Sequence, residues 1–245
     1  NGLADLFNTL EAGNGEEALE KLKDNEVDVI VTDVMMPVMD GIKLCKNVKQ
    51  NIRTCHIPVI ILSAKTDIKD QMEGLQMGAD DYIPKPFSLA ILTTKIQNMM
   101  RTRRRMLDKY AKSLEVEPEK ITFNAMDEAL LKRAMAIVEK NMDNIEFSTD
   151  EFAREMNMSR SNLHLKLKAI TGESTIDFIR KIRFNEAAKL LKDGRYTVAE
   201  VSTMVGFNTP SYFATSFKKY FGCLPTEYIL SLIHISEPTR LQLIS

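Results

Sequence analysis

Two short apolar runs rich in β-branched residues, VDVIV (27–31) and IPVIIL (57–62), each end in polar residues. That is the pattern of strands buried on both faces of a parallel sheet. Around them the period becomes helical. NGEEALEKLKDN (14–25) opens on an Asn-Gly start signal and places Ala18, Leu19 and Leu22 on one face. Further amphipathic helices are expected at 41–50 and at 67–77, the latter ending at Gly78. Tyr82 and Ile83 read as a third short strand, and 88–106 as a long helix. The alternation predicts an α/β doubly wound parallel sheet, whose ligands lie outside the carboxyl ends of its strands.

From residue 125 the pattern is helical throughout. Leu130, Leu131, Ala134, Ile137 and Val138 form one stripe of a helix over 125–143. A short helix capped at Ser148 or Thr149, a tight turn at Asn157 and a helix capped at Ser159 then make a helix-turn-helix. A long helix over 174–193 ends at Gly194, and residues 197–222 repeat the unit, with a turn at Gly206 and a second helix from Thr209. The spacing puts Leu163, Leu167 and Ile170 in one core, and Phe213, Phe217 and Tyr220 in the other. It leaves Arg160, Ser161, His164 and Lys168, then Thr209, Ser211, Thr215 and Lys218, facing out. The second half is therefore expected to be an all-α domain with two helix-turn-helix motifs.

Charge separates the halves. Over the whole 245 residues, 33 Lys and Arg against 34 Asp and Glu exclude an overall basic nucleic-acid binder. Residues 1–100, however, carry 10 basic against 15 acidic side chains, a net of −5, and residues 153–222 carry 12 against 6, a net of +6. That asymmetry suits a chain of which one part binds nucleic acid. A basic cluster at Arg101–Arg105, interrupted by Thr102, precedes the boundary; a solvated helix end is its plainer reading, a DNA-contacting arm the other. No apolar run reaches membrane-spanning length, and no leader pattern opens the chain. Cys45, Cys55 and Cys223 lack any CxxC pair and read as reduced thiols, so a cytoplasmic chain is expected. His164 has no partner at metal-ligand spacing.

The strand ends hold the candidate chemistry. Asp33, Ser63 and Lys85 follow the three strands, so a carboxylate, a hydroxyl and an ammonium reach one edge. A carboxylate there can attack phosphorus and form an acyl phosphate, with the other two groups binding phosphoryl oxygens. Lys85 precedes Pro86, where a cis bond would aim the lysine inward. A lone Asp at a strand end is usually a turn residue; three such ends together are harder to dismiss.

VTDVMMPVMDG (31–41), ILSAK (61–65) and GADDYIPKPF (78–87) resemble the signature blocks of two-component receiver domains. The resemblance implies a flavodoxin-like fold with Asp33 as phosphoacceptor, Ser63 as switch hydroxyl, Lys85 as phosphate-binding lysine and Tyr82 as switch aromatic. It also implies Mg²⁺ held by Asp33 and the Met35 backbone carbonyl. Met35 lacks the second carboxylate that a haloacid-dehalogenase-like phosphatase wants. The family's first strand and the acidic pair after it are not in this sequence, and the receiver is expected to be truncated at its N-terminus. A missing strand between the second and third is expected to leave a hole in the sheet, with unpaired backbone groups on both sides costing about 1–3 kcal/mol each where buried. The chain as given is therefore expected not to take up phosphate.

Residues 148–193 and the block VSTMVGFNTPSYFATSFKKYFGCLPTEY (201–228) resemble AraC/XylS-type regulators. By that resemblance Ser161 and Leu165, then Ser211 and Thr215, face bases, and Arg160, His164, Lys168, Thr209, Tyr212 and Lys218 complete the DNA-binding set. The family often has arginine at the positions of Leu165 and Thr215. The order of domains is similar to the C-terminal part of hybrid two-component regulators of Bacteroidetes, whose full-length chain carries a histidine kinase and a membrane anchor. The expected organisation is a receiver at 1–106, a linker at 107–124, an AraC-type domain at 125–229 and, at 230–245, a non-native, adaptor-derived tail after the helical register ends near Tyr228. The expected function is phosphorylation-controlled, sequence-specific regulation of transcription. Its partners would be promoter DNA, a histidine kinase and a second copy of the chain, dimerising through residues 67–106; the chain itself would not be an enzyme. The alternatives are an aspartyl-phosphate phosphatase-like enzyme and a phosphate-sink scaffold without specific DNA binding.

Overall fold

The computed structural model describes residues 2–64, 78–112, 117–122 and 124–236. Contacts divide the chain into two compact units. The first comprises Asn1–Lys112, Glu117–Leu130 and Ala169–Gly172, and the second the remainder.

The first unit is a parallel sheet of three strands, β1 (Ile30–Asp33), β2 (Val59–Ala64) and β3 (Asp81–Lys85), in the order β1-β2-β3. Ile30 pairs with Val59 and Asp33 with Leu62; Ile60 pairs with Asp81 and Ala64 with Lys85. Alternate residues feed opposite faces. Ile30, Val59, Ile61 and Tyr82 join Leu44, Cys45 and Val48 of α2 (Gly41–Gln50) and Ala18, Leu19 and Leu22 of α1 (Gly15–Asp24). Val31, Ile60, Leu62 and Ile83 join Leu92 and Ile96 of α3 (Leu89–Lys112), with Leu3 and Phe7. Helices therefore cover both faces, as a doubly wound sheet requires. The caps are local: Asn14 accepts from the Glu17 N–H and Asp40 from the Lys43 N–H.

Three expectations need correcting. Each strand ends two residues later than its apolar run, because the ladder stops where pairing stops and not where hydrophobicity does. Residues 8–12, ahead of α1, form no strand, so β1 is an edge of the described sheet and there is no hole flanked by strands on both sides. The long helix expected at 88–106 runs to Lys112, since RTRRRMLDKYAK contains no Gly or Pro to stop it. The expected linker thus begins in helix and includes a one-turn α4 (Pro118–Ile121) with proline at its start. The helix anticipated at 67–77 lies outside the described residues.

The second half contains α5 (Ala125–Lys140), α6 (Thr149–Glu155), α7 (Arg160–Thr171), α8 (Thr175–Asp193), α9 (Val198–Met204), α10 (Pro210–Phe221) and α11 (Pro225–Ser236). α6 and α9, the first helix of each helix-turn-helix, both start with a complete capping box, Ser148 with Glu151 and Thr197 with Glu200. Their turns need left-handed backbone: Asn157 has φ 56° and Gly206 φ 72°. A Cβ at Gly206 would also lie 2.5 Å from the Met142 carbonyl oxygen. Phe184 of α8 is the centre of an aromatic core, with Phe207, Phe213, Phe217 and Tyr220 at centroid distances of 5.2–6.3 Å. Two helices differ from expectation. α5 stops at Lys140 and not 143, and α11 passes Tyr228 without a break, because no Gly or Pro follows Pro225 until Pro238.

Candidate functional site

The three strand ends meet at one edge of the first unit. Asp33 closes β1, Ser63 is the penultimate residue of β2, and Lys85 closes β3. Lys85 Nζ pairs with Asp33 Oδ2, and the Met35 N–H donates to Asp33 Oδ1 at 3.3 Å. Both groups stay partly open, with side chains 34% and 40% exposed for Asp33 and Lys85. The backbone around Asp33 is clamped: the Val34 N–H donates to the Leu62 carbonyl, and Gly41 packs so closely that a Cβ there would sit 2.1 Å from the Asp33 carbonyl oxygen. Only glycine fits at that approach. The Lys85–Pro86 bond is cis.

Ser63 is 1% exposed, and its Oγ makes no hydrogen bond among the described residues. Tyr82 is half-buried against the cluster on the α1–α2 side of the sheet. Met35 and Val38 project from the loop after β1, 84% and 74% exposed. The carboxyl ends of three neighbouring strands thus carry a carboxylate–ammonium pair and a buried hydroxyl without a partner among the described residues.

The same donors do not fit Mg²⁺, which takes six oxygens in near-octahedral geometry. One oxygen of Asp33 is paired with Lys85 and the other accepts the Met35 N–H. Among the described residues no group of three His, Cys, Asp or Glu side chains could hold a metal. The Met35 carbonyl would have to act with a carboxylate whose charge is already matched.

In the second half, α7 exposes Arg160, Ser161, Leu165 and Lys168, and α10 exposes Ser211, Tyr212, Thr215 and Lys218 after the exposed Thr209. His164 is only half-exposed, with Nδ1 3.5 Å from Oγ1 of the buried Thr175. Two of the expected contacts are partly spent within the protein: Thr209 Oγ1 caps α10 by accepting from the Tyr212 N–H, and Arg160 lies 3.5 Å from Asp150. Arg180 of α8 donates to the Tyr212 hydroxyl at 2.7 Å, which joins the second exposed face to the connecting helix. Arg180 was not among the expected residues, although its place between the buried Phe178, Ile179 and Ile182 marks it as outward-facing.

Several basic residues of this half point inward. Lys181 pairs with Glu173 at 3.1 Å, and burial, opposed by Glu173, lowers its pKa. Burial also lowers the pKa of Arg183, whose guanidinium donates to the carbonyls of Gly206 (2.9 Å), Asn144 (2.7 Å) and Asn141 (3.3 Å). Arg183 thereby ties the second helix-turn-helix turn to the loop after α5.

Residues 3–97 match the family described as the response regulator receiver domain, and residues 152–230 match the helix-turn-helix domain family. The chain is a response regulator receiver domain followed by an AraC-type helix-turn-helix domain. The chain is 39% identical to histidine kinase P4 of Formosa agariphila over 91% of its own length, which is 16% of that kinase. It is 39% identical to the alkaline phosphatase synthesis transcriptional regulatory protein PhoP of Bacillus subtilis over 39% of each chain. The chain thus spans well under half the length of these relatives. Among solved structures, the receiver domain of Francisella response regulator 1452 is 47% identical, over 37% of this chain and 74% of that one, with a TM-score of 0.34. The C-terminal domain of AraT, a response regulator from Geobacillus stearothermophilus, is 27% identical over 47% and 93%, with a TM-score of 0.40. Among the described residues no helix is long and apolar enough to cross a membrane.

Proposed function

We propose that this chain is the output part of a longer protein that controls transcription in response to phosphorylation of Asp33. The observation that carries the reading is the meeting of Asp33, Ser63 and Lys85 at one sheet edge, on a chain that also exposes two helix-turn-helix faces. A carboxylate oxygen of Asp33 attacks the phosphorus of a phosphohistidine on a histidine kinase. The P–N bond breaks, an acyl phosphate P–O bond forms, and the histidine nitrogen leaves with the electron pair. Lys85, already paired with Asp33, then neutralises a phosphoryl oxygen. The Ser63 hydroxyl, which has no partner among the described residues, donates to another, and Tyr82 repacks as β2 adjusts. Dimerisation would raise affinity for paired half-sites by effective concentration.

The kinase is proposed to lie in a longer protein, as the length of the Formosa relative suggests. Because the donors at Asp33 do not fit Mg²⁺, the 245-residue chain alone is not expected to be labelled by a small acyl-phosphate donor in Mg²⁺; labelling would overturn that statement. On the DNA, Lys168, Lys218 and Arg160 anchor phosphates, while Ser161, Leu165, Ser211 and Thr215 contact base edges.

The test is selection of the full chain against a random duplex pool at low and near-physiological salt. A common motif with half-sites about 34 Å apart, retained at the higher salt, supports the regulator. Uniform retention that disappears with salt means phosphate contacts alone and favours the scaffold.

A further inference from the structure

α3 changes character along its length. Its first half packs Leu92 and Ile96 under the sheet, while residues 101–112 carry six Lys and Arg against one Asp. The helix sorts these charges. Arg103 turns inward with Met106, Leu107 and the buried Tyr110; it donates to the His56 carbonyl at 2.9 Å, and burial lowers its pKa. Arg101, Arg104, Arg105 and Lys109 are exposed, and at 100° per residue they share an arc of about 140° along roughly 12 Å of axis. Asp108 lies in the same arc, which leaves three positive charges in excess.

None of these four cations has a carboxylate partner among the described residues; Arg101 donates to the neutral amide of Asn98 at 2.5 Å. Solvated helix faces usually alternate sign and pair at i,i+3 or i,i+4. α1 does so, with Lys21–Glu17 and Lys23–Glu20. The α3 stripe keeps three charges in excess of Asp108, and it stands at the end of a domain whose first hundred residues are net acidic. A rigid row of cations of this length faces about seven charges of a duplex, at one charge per ~1.7 Å.

The chain also limits how far the stripe can be from bound DNA. Thirteen residues lead from Lys112 to Ala125, a reach of at most about 45 Å even when fully extended. Any duplex held by the helix-turn-helix domain is thus presented to the stripe at high effective concentration. We infer that the Arg101–Lys109 face of α3 is a second nucleic-acid contact, which binds duplex phosphates without reading sequence. This rests on DNA binding by the helix-turn-helix domain, and it assigns part of the electrostatic affinity to the receiver's last helix.

The experiment compares the full chain with R101Q/R104Q/R105Q on a duplex carrying the selected motif within longer flanks, from 50 to about 250 mM NaCl. Glutamine preserves helix propensity, and matching far-UV circular dichroism and melting check the fold. The slope of log K against log[NaCl] is expected to become shallower by about 2–3, and Kd at the lowest salt to rise at least tenfold. The control, K23Q/K43Q/K46Q, removes the same charge from exposed positions on α1 and α2 and is expected to match the parent. An unchanged slope in the triple-arginine variant, or an equal change in the control, overturns the inference. A parent chain that binds no duplex overturns DNA binding and the stripe together, whereas a parent that binds as well as its arginine variant overturns the stripe alone.

Discussion

Replacing Ser63 by alanine is expected to stabilise the receiver. Ser63 lies in β2, the central strand, 1% exposed, with an Oγ that has no hydrogen-bond partner among the described residues. A buried hydroxyl without a partner loses its hydration for no return, at about 1–3 kcal/mol. Removing the oxygen forfeits a few dispersion contacts of about 0.1–0.2 kcal/mol each. The balance favours S63A by about 1 kcal/mol, which is roughly a fivefold drop in the fraction of open molecules. Amide exchange at Ile60 and Ile61 reads this directly, because both are fully buried in the same strand and exchange only when the sheet opens. About fivefold slower exchange in S63A is the expected outcome. If exchange instead became fivefold faster, the hydroxyl would be a structural group with a partner, and the case for an acceptor-seeking hydroxyl beside Asp33 would fail.

Other perturbations test the two halves separately. Burial pushes the Cys45 thiol up from 9.0 to about 11, with Lys49 opposing and Asp80 adding to the shift. The folded state therefore holds a proton that the unfolded chain releases above pH 9, so the stability this group contributes is intact below pH 9 and is lost as pH rises toward 11. Cys45→Val should flatten that part of a stability–pH curve relative to the parent; parallel curves would rule it out. Ser148→Ala and Thr197→Ala each remove a capping box and should cost about 1 kcal/mol, read from the melting of the helical half at 222 nm. Arg183→Met strands the buried Gly206 carbonyl and unties it from Asn141 and Asn144, for a loss of about 2 kcal/mol or roughly 8 °C in Tm. No loss of Tm, together with unchanged exchange in residues 205–208, would show that the guanidinium does not hold the turn.

The strand-end residues were legible because short β-branched apolar runs and chain order locate the carboxyl ends of a parallel sheet. Asp33, Ser63 and Lys85 could therefore be grouped before any geometry was known. Both helix-turn-helix units were legible for a different reason: Ser148, Thr197, Asn157 and Gly206 are cap and turn residues whose chemistry is local. Features set by partners distant in sequence were not legible. Residues 8–12 carry no strand signal that says whether a neighbour is there to pair with. Nothing in the spacing of Arg183 and Lys181 points to Gly206 and Glu173, which only the fold brings to them. The Arg180–Tyr212 hydrogen bond spans 32 residues, and no spacing rule on either helix points to it.

Those buried cations change what the charge of the second half means. Residues 153–222 carry 12 basic and 6 acidic side chains, but Lys166, Lys181 and Arg183 are at most 8% exposed, and Glu173 is committed to Lys181. Nine cations and five acids remain outside, a net of +4 where the sequence suggested +6. Arg160 and Arg180 among the nine already face Asp150 and Asp177. Non-specific affinity scales with the number of phosphates neutralised, so the DNA binding proposed for the helix-turn-helix domain would have less of it than the composition implies. The shortfall has two consequences. On the proposed base contacts, discrimination would fall to uncharged side chains such as Ser161, Ser211 and Thr215, whose single hydrogen bonds would read bases less firmly than a bidentate arginine. The electrostatic part of the proposed binding would then depend more heavily on cations outside that domain, and the Arg101–Lys109 face of α3 is the inferred source of them.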